Sequence, residues 1–175
     1  MATVDAVALP HLQAIERALR CQLLTLNREI AQHLRDHPCL GEQVRRCRTL
    51  KGIGLLTATI VVAELPPITP QSDPRALCAW TGLTPRRWQS GQTEGPSHLC
   101  RKGNAYLRRA LYMPALVAKR FNPLLRAFAL RLAANGKSTP AILGSLSHKL
   151  LRILVGLLRS NSDFKPNHSP LHPSI

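Results

Sequence analysis

Apolar side chains recur at three- and four-residue steps near the start of the chain: Leu12, Ile15, Leu19, Leu23, Leu26, Ile30 and Leu34. Such steps place apolar groups on one helical face, and Arg and Glu occupy much of the others. The pattern predicts a long amphipathic helix from about Pro10 to His37. Pro38 ends it, because proline disfavours helical geometry at the residue before it. A coiled-coil-like arm over residues 1–40 and a helix docked on the chain's own core both fit this face. Two short helices then flank Gly52-Ile53-Gly54, a helix-hairpin-helix spelling over about residues 43–64. Pro66, Pro67, Pro70 and Pro74 make a stiff linker. Asp73-Pro74 reads as an N-cap followed by proline at the first helical position, and Gly82 as a C-terminal stop. Helices are expected from Asn104 to about Arg120, with a kink at Pro114, from Asn122-Pro123 to Asn135-Gly136, and from Thr139-Pro140 to about Arg159. No alternating strand pattern is present. The expected fold class is all-α, with a compact helical domain over residues 41–160. The tail, residues 161–175, is rich in Pro, Ser, Asn and His and reads as disordered.

Composition adds a partner to this picture. Hydrophobic residues make up 45% of the 175, but aromatic residues only 4%, so the core must be aliphatic. The net charge is +15. From Thr81 onward fifteen Lys and Arg face only Glu94 and Asp163. Repulsion of that size destabilises a compact state unless a polyanion neutralises it. Nucleic acid fits best, since phosphates release counterions to Lys and Arg; a solvated cationic face or anionic lipid is the alternative. No secretory signal is visible. Residues 53–65 are too short to span a membrane, and residues 141–158 are interrupted by His148, Lys149 and Arg152, so no membrane partner is expected. Five cysteines without a C-x-x-C suggest reduced thiols in the cytoplasm, with the nucleoid as the site of nucleic-acid contact. His98 and Cys100 lack a second ligand pair, so no metal site is expected.

Two segments are candidates for chemistry. Around Gly52, Ile53 and Gly54, the helix that follows begins with free N–H groups, which suit a phosphate. Thr84 to Gly103 is the longest irregular stretch, and long loops in compact domains tend to carry function. Arg86, Arg87, Arg101 and Lys102 could converge there on a phosphate. Trp88 could stack on a base or anchor the loop. Ser90, followed by Gly91, carries a hydroxyl that is a weak nucleophile unless a base or a metal activates it. Only His98 and Glu94 lie near it in sequence.

The ordered set Thr81-Gly82-Leu83-Thr84-Pro85-Arg86-Arg87, Ser90-Gly91, Lys102-Gly103 and Leu107-Arg108-Arg109-Ala110-Leu111-Tyr112-Met113-Pro114-Ala115 resembles the C-terminal, serine-bearing domain of the bridge-RNA-guided insertion-sequence transposases (the IS-one-ten family). Gly52-Ile53-Gly54 and Leu132-Ala133-Ala134-Asn135-Gly136-Lys137 fit it too. The resemblance runs over about residues 46–159, and the N-terminal helix is similar to the end of the family's coiled-coil arm. It implies that Ser90 attacks a DNA phosphodiester and forms a phosphoserine intermediate, with Arg86 and Arg87 stabilising the pentavalent phosphate. Arg101 aligns with a lysine of the family's Ser-Lys-x-Gly segment, Cys100 standing in place of the serine. Lys102, Arg108 and Arg109 fall among the DNA contacts. The resemblance also implies DNA and guide (bridge) RNA as partners, and a second copy or a full-length transposase joined through the N-terminal helix. Family members hold Mg2+ on four carboxylates of an RNase H-like domain expected ahead of the arm. The nine acids here are scattered, so magnesium is expected at a partner domain and not on this chain. The alternatives are a catalytically silent DNA- or RNA-binding module, a truncated regulator of the intact element, and a structural protein with incidental charge.

Overall fold

The structure is a computed structural model; it describes residues 2–86, 89–90, 93–94, 98–99 and 102–165, with backbone alone for residues 2–7 and for the paired residues between 85 and 99. Seven helices occur among the described residues: α1 (Ala2–Asp36), α2 (Pro38–Arg48), α3 (Leu55–Glu64), α4 (Pro74–Trp80), α5 (Ala105–Phe121), α6 (Pro123–Ala134) and α7 (Thr139–Ser160). The fold is all-α. The chain divides into two compact units, Met1–Gly41 and Glu42–Ile175.

The first unit is dominated by α1. It begins earlier than its apolar pattern predicts, at Ala2, and carries Pro10 inside it. Its stop agrees with expectation, since His37 is non-helical and Pro38 opens α2. Leu12, Ile15, Leu19, Leu23 and Leu26 remain 52–62% exposed. An exposed ion pair from Arg20 to Glu16 supports the helix one turn apart.

The second unit is built around α7. Its buried side chains include Leu146, Leu150, Leu151, Leu154 and Val155. α4, α5 and α6 pack against it, and α3 packs on α5. On α5 the inward residues are Leu107, Leu111, Ala115 and Ala118. α7 is long and apolar enough to cross a membrane, but 61% of its apolar window is buried within this unit, as befits a core helix. Pro114 lies inside α5, which runs as one helix from Ala105 to Phe121.

Local capping explains the helix starts. The Asp73 carboxylate accepts from the Arg75 and Ala76 amides, and Pro74 takes the first turn of α4. The Asn122 side chain accepts from Leu124 and Leu125 at the start of α6, and Asn104 accepts from Leu107 at the start of α5. The last turn of α7 gives way to Asn161 in the left-handed conformation, φ +50°. Beyond it the chain turns back onto α2. Arg45 bonds both Glu42 and Asp163, Arg46 bonds Asn161, and the Phe164 amide donates to the Thr49 hydroxyl. Residues 161–165 are thus ordered against α2, whereas the expected tail continued as a disordered segment; residues 166–175 lie outside those described.

The stretch expected to be irregular carries two short antiparallel ladders: β1 (Pro85–Arg86) with β4 (His98–Leu99), and β2 (Gln89–Ser90) with β3 (Thr93–Glu94). Strands of two residues are too short to leave a period-two signal, which needs about four residues.

Candidate nucleic-acid interface

The net charge of this chain is concentrated in one unit. Residues 42–175 hold twenty of the 24 Lys and Arg but five of the nine acids, so the whole net charge of +15 belongs to the second unit. The first unit is neutral. The described acids of the second unit are also engaged. Glu42 and Asp163 pair with Arg45 and Arg46, Glu64 accepts from the Asn104 amide, and Asp73 caps α4.

The glycine turn is held from both sides. Leu50 and Ile53 are buried, at 0% and 6% exposure, and the Ile53 amide donates to the Leu50 carbonyl. Ile53 is therefore the anchor of the turn, and it meets any ligand through its backbone alone. Gly52 has φ +102° and sits against α5, where its added Cβ would lie 3.5–3.6 Å from Pro114 O, Ala118 N and the Val117 side chain. Gly54 differs: its φ is −84°, and nothing lies within 4 Å of where a Cβ would stand. Of the two glycines only Gly52 takes a conformation that favours glycine. Gly54 caps α3 without any side-chain bond, and its carbonyl first receives the Ala58 amide. The amides of Leu55, Leu56 and Thr57, in the first turn of α3, have no partner within the helix and no side-chain cap. Lys51 is exposed beside them. The turn has the parts of a phosphate cradle, although helix-hairpin-helix geometry is not established by them.

The second candidate segment is closed at its root. Gly82, φ +72°, leads into it, and Gly103, φ +145°, ends it. A Cβ on Gly103 would stand 2.5 Å from Trp80 O and 2.7 Å from both Gly82 N and Thr81 C. The returning chain therefore touches the chain it left. Thr81 is fully buried, and its hydroxyl donates to Cys78 O at 2.7 Å. Between the two ends, Pro85 pairs with Leu99 and Arg86 with His98, then Gln89 with Glu94 and Ser90 with Thr93. These nested registers make the segment a hairpin, with two residues separating Ser90 from its partner Thr93. Arg87, Trp88, Gly91, Cys100 and Arg101 lie outside the described residues.

Of the cations expected at the site, Arg108 is partly committed. It is half-buried, and its Nη1 donates to Thr81 O at 3.1 Å, tying α5 to the root of the hairpin. One bond uses one of five guanidinium donors. Arg108 also lines an open cavity of about 350 Å³ with Leu83, Tyr112, Thr139 and Leu143. Arg109 and Lys102 are exposed. Arg45 and Arg46 were not among the candidate residues; exposed Arg45 is held by Glu42 and Asp163, and half-buried Arg46 by Glu42 and Asn161.

Two of the described thiols, Cys47 and Cys78, are unsuited to nucleophilic work. Burial pushes Cys47 up to about 12 and Cys78 up to about 11, and Cys21 and Cys39 are merely exposed. No group of three or more His, Cys, Asp or Glu converges among the described residues. Each acid whose side chain is described in the second unit serves another contact.

Sequence comparison agrees with this geography. Residues 44–130 match the family model described as Transposase IS116/IS110/IS902 family. The chain is 29% identical over 142 residues to the pilin gene-inverting protein of Moraxella bovis, covering 79% of this chain and 44% of that protein. It is 26% identical over 163 residues to an insertion element IS110 43.6 kDa protein of Streptomyces coelicolor, covering 93% and 39%. It is 31% identical over 96 residues to the transposase for insertion sequence element IS1328 of Yersinia enterocolitica, covering 55% and 28%. The chain spans less than half the length of these relatives. From α2 into α6, the stretch that holds the Gly52 turn, the Ser90 hairpin and Arg108, its sequence carries the match to the Transposase IS116/IS110/IS902 family.

Proposed function

We propose that this chain is the DNA-binding, serine-bearing part of an insertion-sequence transposase or recombinase, with Ser90 as the nucleophile. The observation that carries the reading is the overlap of the family match, residues 44–130, with the cationic unit and the Ser90 hairpin. In this reading Ser90 Oγ forms a bond to a DNA phosphorus as one ester P–O bond breaks, and the leaving hydroxyl takes up a proton. Arg86, Arg87 and Arg101 offset charge on the pentavalent phosphate. The α3 amides and Lys51, with Lys102, Arg108 and Arg109, grip the backbone. Magnesium belongs to a separate carboxylate-bearing domain, and a guide RNA supplies target choice. The exposed seam of α1 joins a second copy or a full-length transposase. The reaction takes place in the cytoplasm, on the nucleoid.

The engaged acids favour a second reading. A chain without its own carboxylate cluster among the described residues would act as a silent DNA- or RNA-binding module that regulates the intact element.

One trapping experiment separates the two. The chain is incubated with element DNA, guide RNA, magnesium and a full-length relative whose own serine is replaced by alanine. A covalent protein–DNA adduct that disappears in Ser90→Ala supports the nucleophile. DNA retained without any adduct supports the silent module, and an adduct that persists in Ser90→Ala refutes the assignment.

A further inference from the structure

We propose that Arg131, Lys149 and Arg152, where α6 packs on α7, form a second contact for nucleic-acid phosphates, separate in sequence from the matched stretch. This rests on the nucleic-acid binding proposed above and adds a surface to it. Arg131 lies just past residue 130, and Lys149 and Arg152 lie on the core helix, so the family match contains none of them.

The geometry is a cluster of like charges around one aromatic ring. Lys149 Nζ stands 4.1 Å from the centre of the Phe128 ring, and the Arg131 guanidinium carbon stands 5.4 Å from the same centre. Two charges sharing one ring fall within about a Debye length of each other at 0.1 M salt. Arg152 lies one turn beyond His148 and Lys149 on α7 and is exposed. Burial lowers the proton affinity of Lys149, and repulsion from Arg131 and then Arg152 lowers it further. His148 is lowered the same way, by burial and then by Arg152.

None of the acids whose side chains are described in this unit forms an ion pair with the cluster. The described acids of the second unit are engaged at α2, at α4 and at Asn104. Asp73, at the start of α4, acts on Cys78, which also feels Arg152, but it makes no ion pair with that arginine among the described contacts. A protein gains nothing in stability by holding three cations together; the ring offsets part of the repulsion, and an external polyanion offsets the rest. Phosphates spaced along a nucleic-acid backbone supply several negative charges to a surface of this width, which a single small anion does not.

Arg152→Gln tests this with two readouts of opposite sign. Binding of a single-stranded thymidine oligonucleotide is measured against salt. The variant is expected to bind several-fold more weakly at 0.1 M salt and to lose roughly 0.7 from the log–log salt slope, the share of one single-strand phosphate contact. Arg152→Lys is expected to restore the slope. The free variant is expected to melt no lower than the parent, because the change relieves repulsion. The local readout is the His148 ring by NMR: its titration midpoint rises in Arg152→Gln, and rises in the parent when the oligonucleotide is added. Unchanged affinity and slope, or a His148 midpoint unmoved by the oligonucleotide, overturns the contact while leaving the Ser90 reading intact. If the parent binds no oligonucleotide even at low salt, both readings fall.

Discussion

Gly103→Ala gives the sharpest test of the hairpin root, because its cost can be read from the geometry. The added methyl would meet Trp80 O at 2.5 Å, with Gly82 N and Thr81 C at 2.7 Å. All three are backbone atoms, so no side chain can swing aside. A φ of +145° adds a second penalty, since an L-residue there costs about 1–3 kcal/mol. Overpacking against rigid neighbours costs another ~1–3 kcal/mol. Together they remove roughly 2–6 kcal/mol from a domain whose stability is on the order of 5–15 kcal/mol. The melting temperature followed by circular dichroism should fall by about 10 °C or more. Two other glycines separate the causes. Gly136 has φ +71° with open space around it, so Gly136→Ala should cost only the backbone penalty of ~1–2 kcal/mol. Gly54 has an ordinary φ and open space, so Gly54→Ala should change stability by no more than about 0.5 kcal/mol. Were Gly103→Ala to melt no lower than Gly136→Ala, the close contact at the root would be wrong.

Two further outcomes follow from the titrating groups. With Cys100 replaced by Ser, thiol labelling at pH 8 should modify Cys21 and Cys39 quickly, while Cys47 and Cys78 react only after unfolding; rapid modification of all four in the native chain would refute their burial. Hydrogen bonds from Arg45 hold the Asp163 and Glu42 carboxyls below the ordinary carboxylate range. Their contribution is therefore complete above that range and lost as the pH falls through the lowered values. The protection factor of the Phe164 amide, taken against the intrinsic exchange rate at each pH, should fall on acidification, and Asp163→Asn should show the lower protection already at neutral pH; equal protection in the variant and the parent would show that the pair does not hold the segment.

The helix starts were legible because each is written in two adjacent residues: Asp73-Pro74, Asn122-Pro123 and Thr139-Pro140. The contacts that shape the site are not local. Gly103 meets residues some twenty positions earlier, and Arg45 meets Asp163 across 118 positions. No spacing rule reaches that far. The family resemblance implied Arg108 as a DNA contact, yet a carbonyl at Thr81 takes part of it. Ile53 carried its own signal, since an aliphatic residue between two glycines has more to gain from burial than from exposure. The Phe128 cluster was missed because its members come from two helices, and their periodicity on α7 reads as that of a core helix with charges at its edge.

The closed root has a consequence for how such a domain can change over time. Because the hairpin leaves and returns at one point, the six helices of the second unit do not depend on its length. Each doubling of a flexible loop between fixed ends costs only about 0.6 kcal/mol. Changes of length between Thr84 and Lys102 are therefore nearly neutral for the helices, and what limits variation there is the chemistry proposed for Arg86, Arg87, Ser90 and Arg101, not the stability of the core. The domain is a socket with an exchangeable insert, and Gly103 is the fixed residue at its rim.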